Sequence, residues 1–274
     1  NKTPLPFIAG GIGYFSYDLK NMLEILPHKA QDDLDTPDMY FVFYRVLVIF
    51  DKETPGEIHI SALDVKARGA KKTSGLVSEI KSRLGTPNLN PVVTSPAGTP
   101  PKLKSNFTRK KYLRAVSKVL EHIKAGDIYQ ACLTQRFCAD WKSDPYSLYL
   151  KLNRINPSPF SAYLNFDESS VISSSPELFL KREGSTLETR PMKGTRPRGS
   201  SHEEDIKNRR SLEESEKDIS ELLMIVDLER NDLGRVALPG SVKVKELRRI
   251  ETYPTVFQTI AVVEGKIDKK ADNI

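Results

Sequence analysis

The stretch Thr189-Arg190-Pro191-Met192-Lys193-Gly194-Thr195-Arg196-Pro197-Arg198-Gly199 constrains this chain more than any other. Eleven residues hold four basic side chains, two prolines and two glycines. Proline fixes φ and removes a backbone donor, and glycine lets backbone approach backbone or ligand. The segment therefore reads as a shaped loop rather than a helix or an ordinary strand. Lys193 lies among Arg190, Arg196 and Arg198. A lysine set among other cations has its charged form disfavoured, and the neutral amine is a nucleophile. The arginines suit a carboxylate-bearing substrate, because guanidinium pairs carboxylates bidentately. Taken alone, a solvated basic surface loop is the plainer reading.

The 274 residues, 38% of them hydrophobic, are enough for a buried core in one large domain or two. Core strands are expected at 39–50, 128–137, 160–166 and 171–180. No apolar run reaches the roughly 20 residues that span a bilayer, so no membrane partner is expected. No signal peptide opens the chain, although it begins at Asn1 rather than Met, which leaves a lost leader open. Cys132 and Cys138 fall in one expected strand, six residues apart, where they cannot bridge without a bend. Reduced thiols and a cytoplasmic setting are expected. No Cys/His cluster has zinc spacing, and no Ser/His/Asp arrangement stands out. The net charge of +6 permits anionic partners. Its cations are interleaved with acids and no nucleic-acid-binding motif is present, so a small anionic substrate is preferred to nucleic acid.

Gly10, Gly11 and Gly13 lack a following helix at dinucleotide-binding spacing, so a strand with close backbone packing is expected there. Residues 39–50 and 58–63 read as a hairpin, and 73–84 as a helix. A Pro- and Ser-rich connection at 87–106 separates an N-terminal region, 1–86, from a larger region, 107–274. Thr108 and Gly126 bracket an amphipathic helix as N-cap and C-cap. In the expected strand that follows, Gln130 shares a face with Cys132, Thr134 and Arg136. That face lines either a polar cavity or solvent. Glu177, in Ser173-Ser174-Ser175-Pro176-Glu177, is an odd choice for a central strand unless it has a polar partner or a task. A long helical region begins near Glu203, with a capping box at Ser215, and ends at Gly234. Glu214, Asp218 and Glu221 fall on one helical face, either a solvated stripe or a Mg²⁺ site. Residues 250–267 are again strand-like.

Four segments occur in order: Gly126-Asp127-Ile128-Tyr129-Gln130, Ser174-Ser175-Pro176-Glu177-Leu178, the Pro191 to Gly199 stretch, and Ile225-Val226-Asp227-Leu228-Glu229-Arg230-Asn231-Asp232-Leu233-Gly234-Arg235-Val236. Together they resemble the chorismate-utilising enzymes, from about Pro4 to the end of the chain. The resemblance implies an α+β fold with two large, mostly antiparallel β-sheets packed together and helices outside. It makes 1–86 a contributor of strands to that sandwich and 107–274 the chorismate-binding catalytic region. Water-using members carry lysine where this chain has Gln130, and ammonia-using members carry glutamine. Aminodeoxychorismate synthases resemble this chain in having lysine at the position of Lys193, where anthranilate synthases usually have alanine. The implied activity is that of aminodeoxychorismate synthase component I, on the route to 4-aminobenzoate and folate. Lys193 would attack C2 of chorismate and expel the 4-hydroxyl, and ammonia from a glutamine amidotransferase subunit would then displace it. The resemblance also implies Glu177 as general acid/base, Gly194, Thr195 and Arg196 in the substrate pocket, and Glu221 with Asp218 as Mg²⁺ ligands.

Two departures stand against the family pattern. A histidine usual in Val-x-His-Leu is Gln258 here, within Val256-Phe257-Gln258-Thr259. In anthranilate formation that histidine is associated with loss of pyruvate, so Gln258 leans toward the activity that keeps the enolpyruvyl group. The chain also stops before the family's last motifs, including a second metal glutamate, which leads us to expect a fragment. The alternatives are anthranilate synthase component I and a catalytically impaired or truncated paralogue that only binds a partner.

Overall fold

The computed structural model describes residues 5, 7–27, 32–52, 54–63, 70–85, 101–166 and 168–271. In chain order the elements are β1 (Gly11–Phe15), α1 (Lys20–Leu23), β2 (Met39–Phe43), β3 (Val46–Phe50), β4 (Ile58–Ala62), α2 (Ala70–Gly85), β5 (Lys104–Ser105) and α3 (Arg109–Ala125). Then come β6 (Phe137–Cys138), α4 (Pro145–Ile155), β7 (Ala162–Asn165), β8 (Ser170–Ser173), β9 (Leu178–Glu183), β10 (Thr186–Arg190) and β11 (Met192–Pro197). Helices α5 (His202–Glu213) and α6 (Glu216–Gly234) precede β12 (Lys243–Thr252) and β13 (Val256–Lys266). The chain is α+β, and every described strand pairing is antiparallel.

β13 organises the five-stranded sheet. β12 follows one of its edges over nearly its whole length. The other edge is shared by two strands in succession: β11 opposite residues 256–260, then β10 opposite residues 263–266. Pro191 lies at their junction, and its carbonyl accepts from the Ala261 N–H at 3.0 Å. β9 completes the sheet beside β10. The sequence of β13 is apolar on both faces near its middle, which is what a strand covered on both faces requires. Ala261 and Val263 are fully buried and pack with Leu187 of β10 and with Leu222, Val226 and Leu233 of α6. Those three helix residues recur at spacings of four and seven, so they form one stripe laid on the sheet. Each such buried aliphatic side chain contributes roughly 1.5–3 kcal/mol over its exposed state.

The remaining strands form two-stranded ribbons, β1–β2, β3–β4, β5–β6 and β7–β8. The glycine-rich start is a strand with close backbone packing, as its sequence leads one to expect. A Cβ at Gly13 would fall 1.8 Å from the Tyr40 carbonyl oxygen across the ribbon. Helix α3 has the caps read from sequence: Thr108 Oγ1 accepts from the Lys111 N–H, and Gly126 sits at φ +78°. Helix α6 is capped by Ser215, whose Oγ accepts from the Asp218 N–H.

Several expectations need correction. The Thr189 to Gly199 stretch is not a free-standing loop but the end of β10 and all of β11. It stays in the ladder because Gly194, at φ +79°, absorbs an extra residue as a bulge between Lys193 and Thr195. Residues 128–136 form no strand: among the described residues no neighbour supplies a ladder, and only Phe137 and Cys138 pair, with β5. Residues 39–50 are two strands with different partners, since β2 pairs with β1 and β3 with β4. Residues 171–180 divide at Ser174–Glu177 into β8 and the start of β9. Residues 250–267 belong to two strands, β12 and β13, joined by a turn. The helical region breaks at Glu214–Ser215, so Glu214 caps α5 and does not share a face with Asp218 and Glu221. Cys132 and Cys138 are free and exposed. Of the connection at 87–106, residues 87–100 lie outside the described residues.

Candidate active site

Lys193 pairs with Thr259 across β11 and β13. Cross-strand partners share a face, and Thr259 shares its face with Ala261 and Val263, which pack on α6. The Lys193 side chain therefore projects on the α6 side of the sheet. Thr259 is 4% exposed, and its Oγ1 has no hydrogen-bond partner among the described residues. Next along β13, Gln258 pairs with Thr195 and donates from Nε2 to Thr195 Oγ1 at 3.4 Å, while Gln258 Oε1 is buried without a partner among the described residues. Buried polar atoms left unpaired cost free energy unless a ligand or water meets them. The two atoms lie on opposite faces of β13, and the Thr259 hydroxyl is the one on the Lys193 side.

The basic stretch sorts its own charges. Arg190 Nε donates to Glu188 Oε1 at 2.6 Å. Arg196 Nη2 donates to Asp218 Oδ2 at 2.9 Å. Arg198 forks onto Asp205 with two bonds of 2.7 Å and stacks 4.8 Å from the Phe257 ring centre. Hydrogen bonds from Arg198 and the Gly199 N–H hold the Asp205 carboxyl down to about 2. Lys193 makes no ion pair among the described residues. The neighbouring arginines therefore do not press on Lys193: each is neutralised by its own acid, and Lys193 is left as the cation of the stretch without an ion pair among the described residues.

Gly194 brings β11 against the helices. A Cβ there would sit 2.8 Å from Leu212 Cδ1 and 2.9 Å from Asp218 Cβ. This approach joins Asp218 to Arg196, so one expected metal ligand and one expected substrate contact hold each other. Glu221, one turn along α6, is half-buried, with the Lys217 ammonium 3.8 Å away. Among the described residues no group of three or more His, Cys, Asp or Glu gathers as a metal cage. Glu177 lies in the turn before β9, where its N–H donates to Ser175 Oγ at 3.2 Å. Gln130 is exposed on the segment that forms no strand, and no hydrogen bond among the described residues joins it to Lys193.

One acid not singled out by the sequence belongs to this site. Glu229 of α6 is half-buried, and its Oε2 lies 2.5 Å from the Thr189 hydroxyl. Burial pushes its carboxyl up, opposed by the Thr189 contact; Glu177 and Asp232 push it further, and Lys193 pulls it back. Glu177, Lys193 and Glu229 are therefore electrostatic neighbours. A cavity of about 280 Å³ adjoins Thr189, Glu229 and Asp232. The signal was present in spacing: Glu229 falls three residues after Val226 and four before Leu233, on the buried stripe.

Residues 1–274 match the family described as chorismate binding enzyme. Anthranilate synthase component 1 of Thermus thermophilus is 38% identical over 260 residues, covering 95% of this chain and 55% of that protein. Aminodeoxychorismate synthase component 1 of Escherichia coli is also 38% identical, over 266 residues, covering 97% of this chain and 56% of that protein. The chain thus spans a little over half the length of these curated relatives. The crystal structure of anthranilate synthase component I from Streptococcus pneumoniae superposes with a TM-score of 0.86 at 27% identity, covering 98% of this chain and 60% of that one. With its whole length matched and relatives of both kinds at equal identity, this chain belongs to the chorismate-binding enzymes.

Proposed function

We propose that this chain is part of an aminodeoxychorismate synthase component I, which converts chorismate and ammonia to 4-amino-4-deoxychorismate and water. The observation that carries the proposal is Lys193: a strand-borne cation that, among the described residues, has no ion pair and stands opposite a Thr259 hydroxyl without a hydrogen-bond partner. In this reading the neutral Lys193 amine forms a bond to C2 of the ring. The ring double bonds shift, and the C4–O bond breaks as Glu177 gives its proton to the departing hydroxyl, which leaves as water. Ammonia then bonds to C4, the double bonds shift back, and Lys193 leaves C2 as the amine. Two allylic displacements replace one difficult substitution. Gln130 and Gln258 supply no base, which suits an ammonia nucleophile and retention of the enolpyruvyl group.

Mg²⁺ fits this donor set in a limited way. The ion needs only one or two protein carboxylates, completed by water and substrate oxygens. Glu221 can serve as one; Asp218 is committed to Arg196. The ion would supply positive charge at the substrate's ring carboxylate. The naming of these relatives as component 1 supports a second subunit, which we take to be a glutamine amidotransferase delivering ammonia. Full-length Lys193→Ala, assayed with chorismate, Mg²⁺ and an ammonium salt, should form no aminodeoxychorismate; undiminished formation refutes the nucleophile. Equal identity to anthranilate synthases favours that activity as the second reading. Pyruvate released by the wild-type protein would establish it.

A further inference from the structure

The Thr189 hydroxyl faces two acceptors. It lies 2.7 Å from the Phe179 carbonyl oxygen and 2.5 Å from Glu229 Oε2. A hydroxyl has one hydrogen to give. Thr189 itself is 6% exposed. The β9–β10 ladder slips between Glu188 and Arg190, and the Thr189 hydroxyl meets the Phe179 carbonyl at this slip. A carbonyl oxygen can only accept. If the Thr189 hydrogen goes to it, the contact with Glu229 needs a second hydrogen, and the carboxyl is the group that can carry one. The surroundings agree. Glu229 sits on the buried stripe of α6, and its charged neighbours are Glu177 from the turn before β9, Asp232 from its own helix and Lys193 from β11. Two of the three are acids, which disfavour a further negative charge.

We infer that Glu229 is a positioning residue for Lys193: it stands as a neutral carboxylic acid, its O–H donating to Thr189 Oγ1 while Thr189 donates to the Phe179 carbonyl. Among the described residues Lys193 then has no ion pair with α6. An ionised Glu229 would stabilise the ammonium and withdraw the amine from reaction. This inference rests on Lys193 as the nucleophile, and it adds a residue whose charge state governs that amine.

The test uses the full-length protein. Infrared spectra near neutral pH should show the C=O stretch of a protonated carboxyl in the wild type, absent in Glu229→Gln. Thr189→Val should move that band to higher frequency, because the acid loses the oxygen that receives its hydrogen. In the pH profile of kcat/KM, the acid limb marks loss of the Lys193 proton. Glu229→Gln puts a neutral amide where the neutral acid stands, so this limb should stay in place. Absence of the band overturns the inference, as does an acid limb about one pH unit lower in Glu229→Gln, the mark of a counter-ion removed. If Glu229→Gln does not fold, loss of the wild-type band on raising the pH gives the same reading. Lys193→Ala separates the two proposals: a band with Lys193→Ala fully active removes the nucleophile alone, and no band with Lys193→Ala inactive removes the neutral carboxyl alone.

Discussion

Gly194→Ala isolates the contact that seats β11 on the helices. Two separate costs apply. The backbone is at φ +79°, where an L-residue costs about 1–2 kcal/mol. The new methyl group would also lie 2.8 Å from Leu212 Cδ1 and 2.9 Å from Asp218 Cβ. Neither neighbour yields easily: Leu212 is 1% exposed, and Asp218 is held by Arg196 at 2.9 Å. Overpacking of this kind costs about 1–3 kcal/mol. The sum is a loss of about 2–5 kcal/mol, read from urea unfolding of the full-length protein at unchanged slope. Loss of the Arg196–Asp218 pair should accompany it. A loss below about 0.5 kcal/mol would refute the reasoning, since it would mean that β11 and α6 can separate without penalty.

Three further outcomes follow from the same geometry. Asp205 has its folded-state carboxyl lowered from 3.8 to about 2, mainly by Arg198, so its stabilising effect is complete above pH 3.8 and is lost as pH falls toward 2. Thermal melts across that window should show a decline that Asp205→Asn lacks; parallel declines would reject the pair. Leu222→Ala opens a cavity between α6 and β13 and should cost about 2–5 kcal/mol in denaturant unfolding; a near-neutral result would mean that the helix is not seated on the sheet as described. Glu221→Gln should raise the Mg²⁺ concentration for half-maximal turnover at least about tenfold, and an unchanged Mg²⁺ dependence would remove Glu221 as a ligand.

The legible parts of this sequence were those governed by neighbours a few residues away. The caps of α3 and α6 depend on Thr108, Gly126 and Ser215 reaching backbone within one turn, so the residues alone locate them. The β3–β4 hairpin likewise follows from local pattern. What failed was pairing at a distance. Residues 128–136 have strand-like composition, yet composition does not supply a partner, and a lone extended segment leaves its amides to solvent. Pro191 and Gly194 read as loop formers until β13 is seen to bond on both sides of them. Lys193 and Glu177 were legible as chemistry because their types are unusual in their settings. Glu229 was not, because Asp227-Leu228-Glu229-Arg230 looks like an ordinary charged helix surface unless it is phased against Leu222 and Leu233.

The central position of β13 has a mechanical consequence. Its eleven residues act as a common splint for β12, β11 and β10. A strand bonded along both edges releases its amides only when both neighbours let go, so this seam should be among the slowest to exchange hydrogen with solvent. The amine of Lys193 and the hydroxyl of Thr189 hang from two strands riveted to that single splint. Their spacing is thus fixed by backbone rather than by side-chain choice, and drift of one relative to the other requires the sheet itself to part.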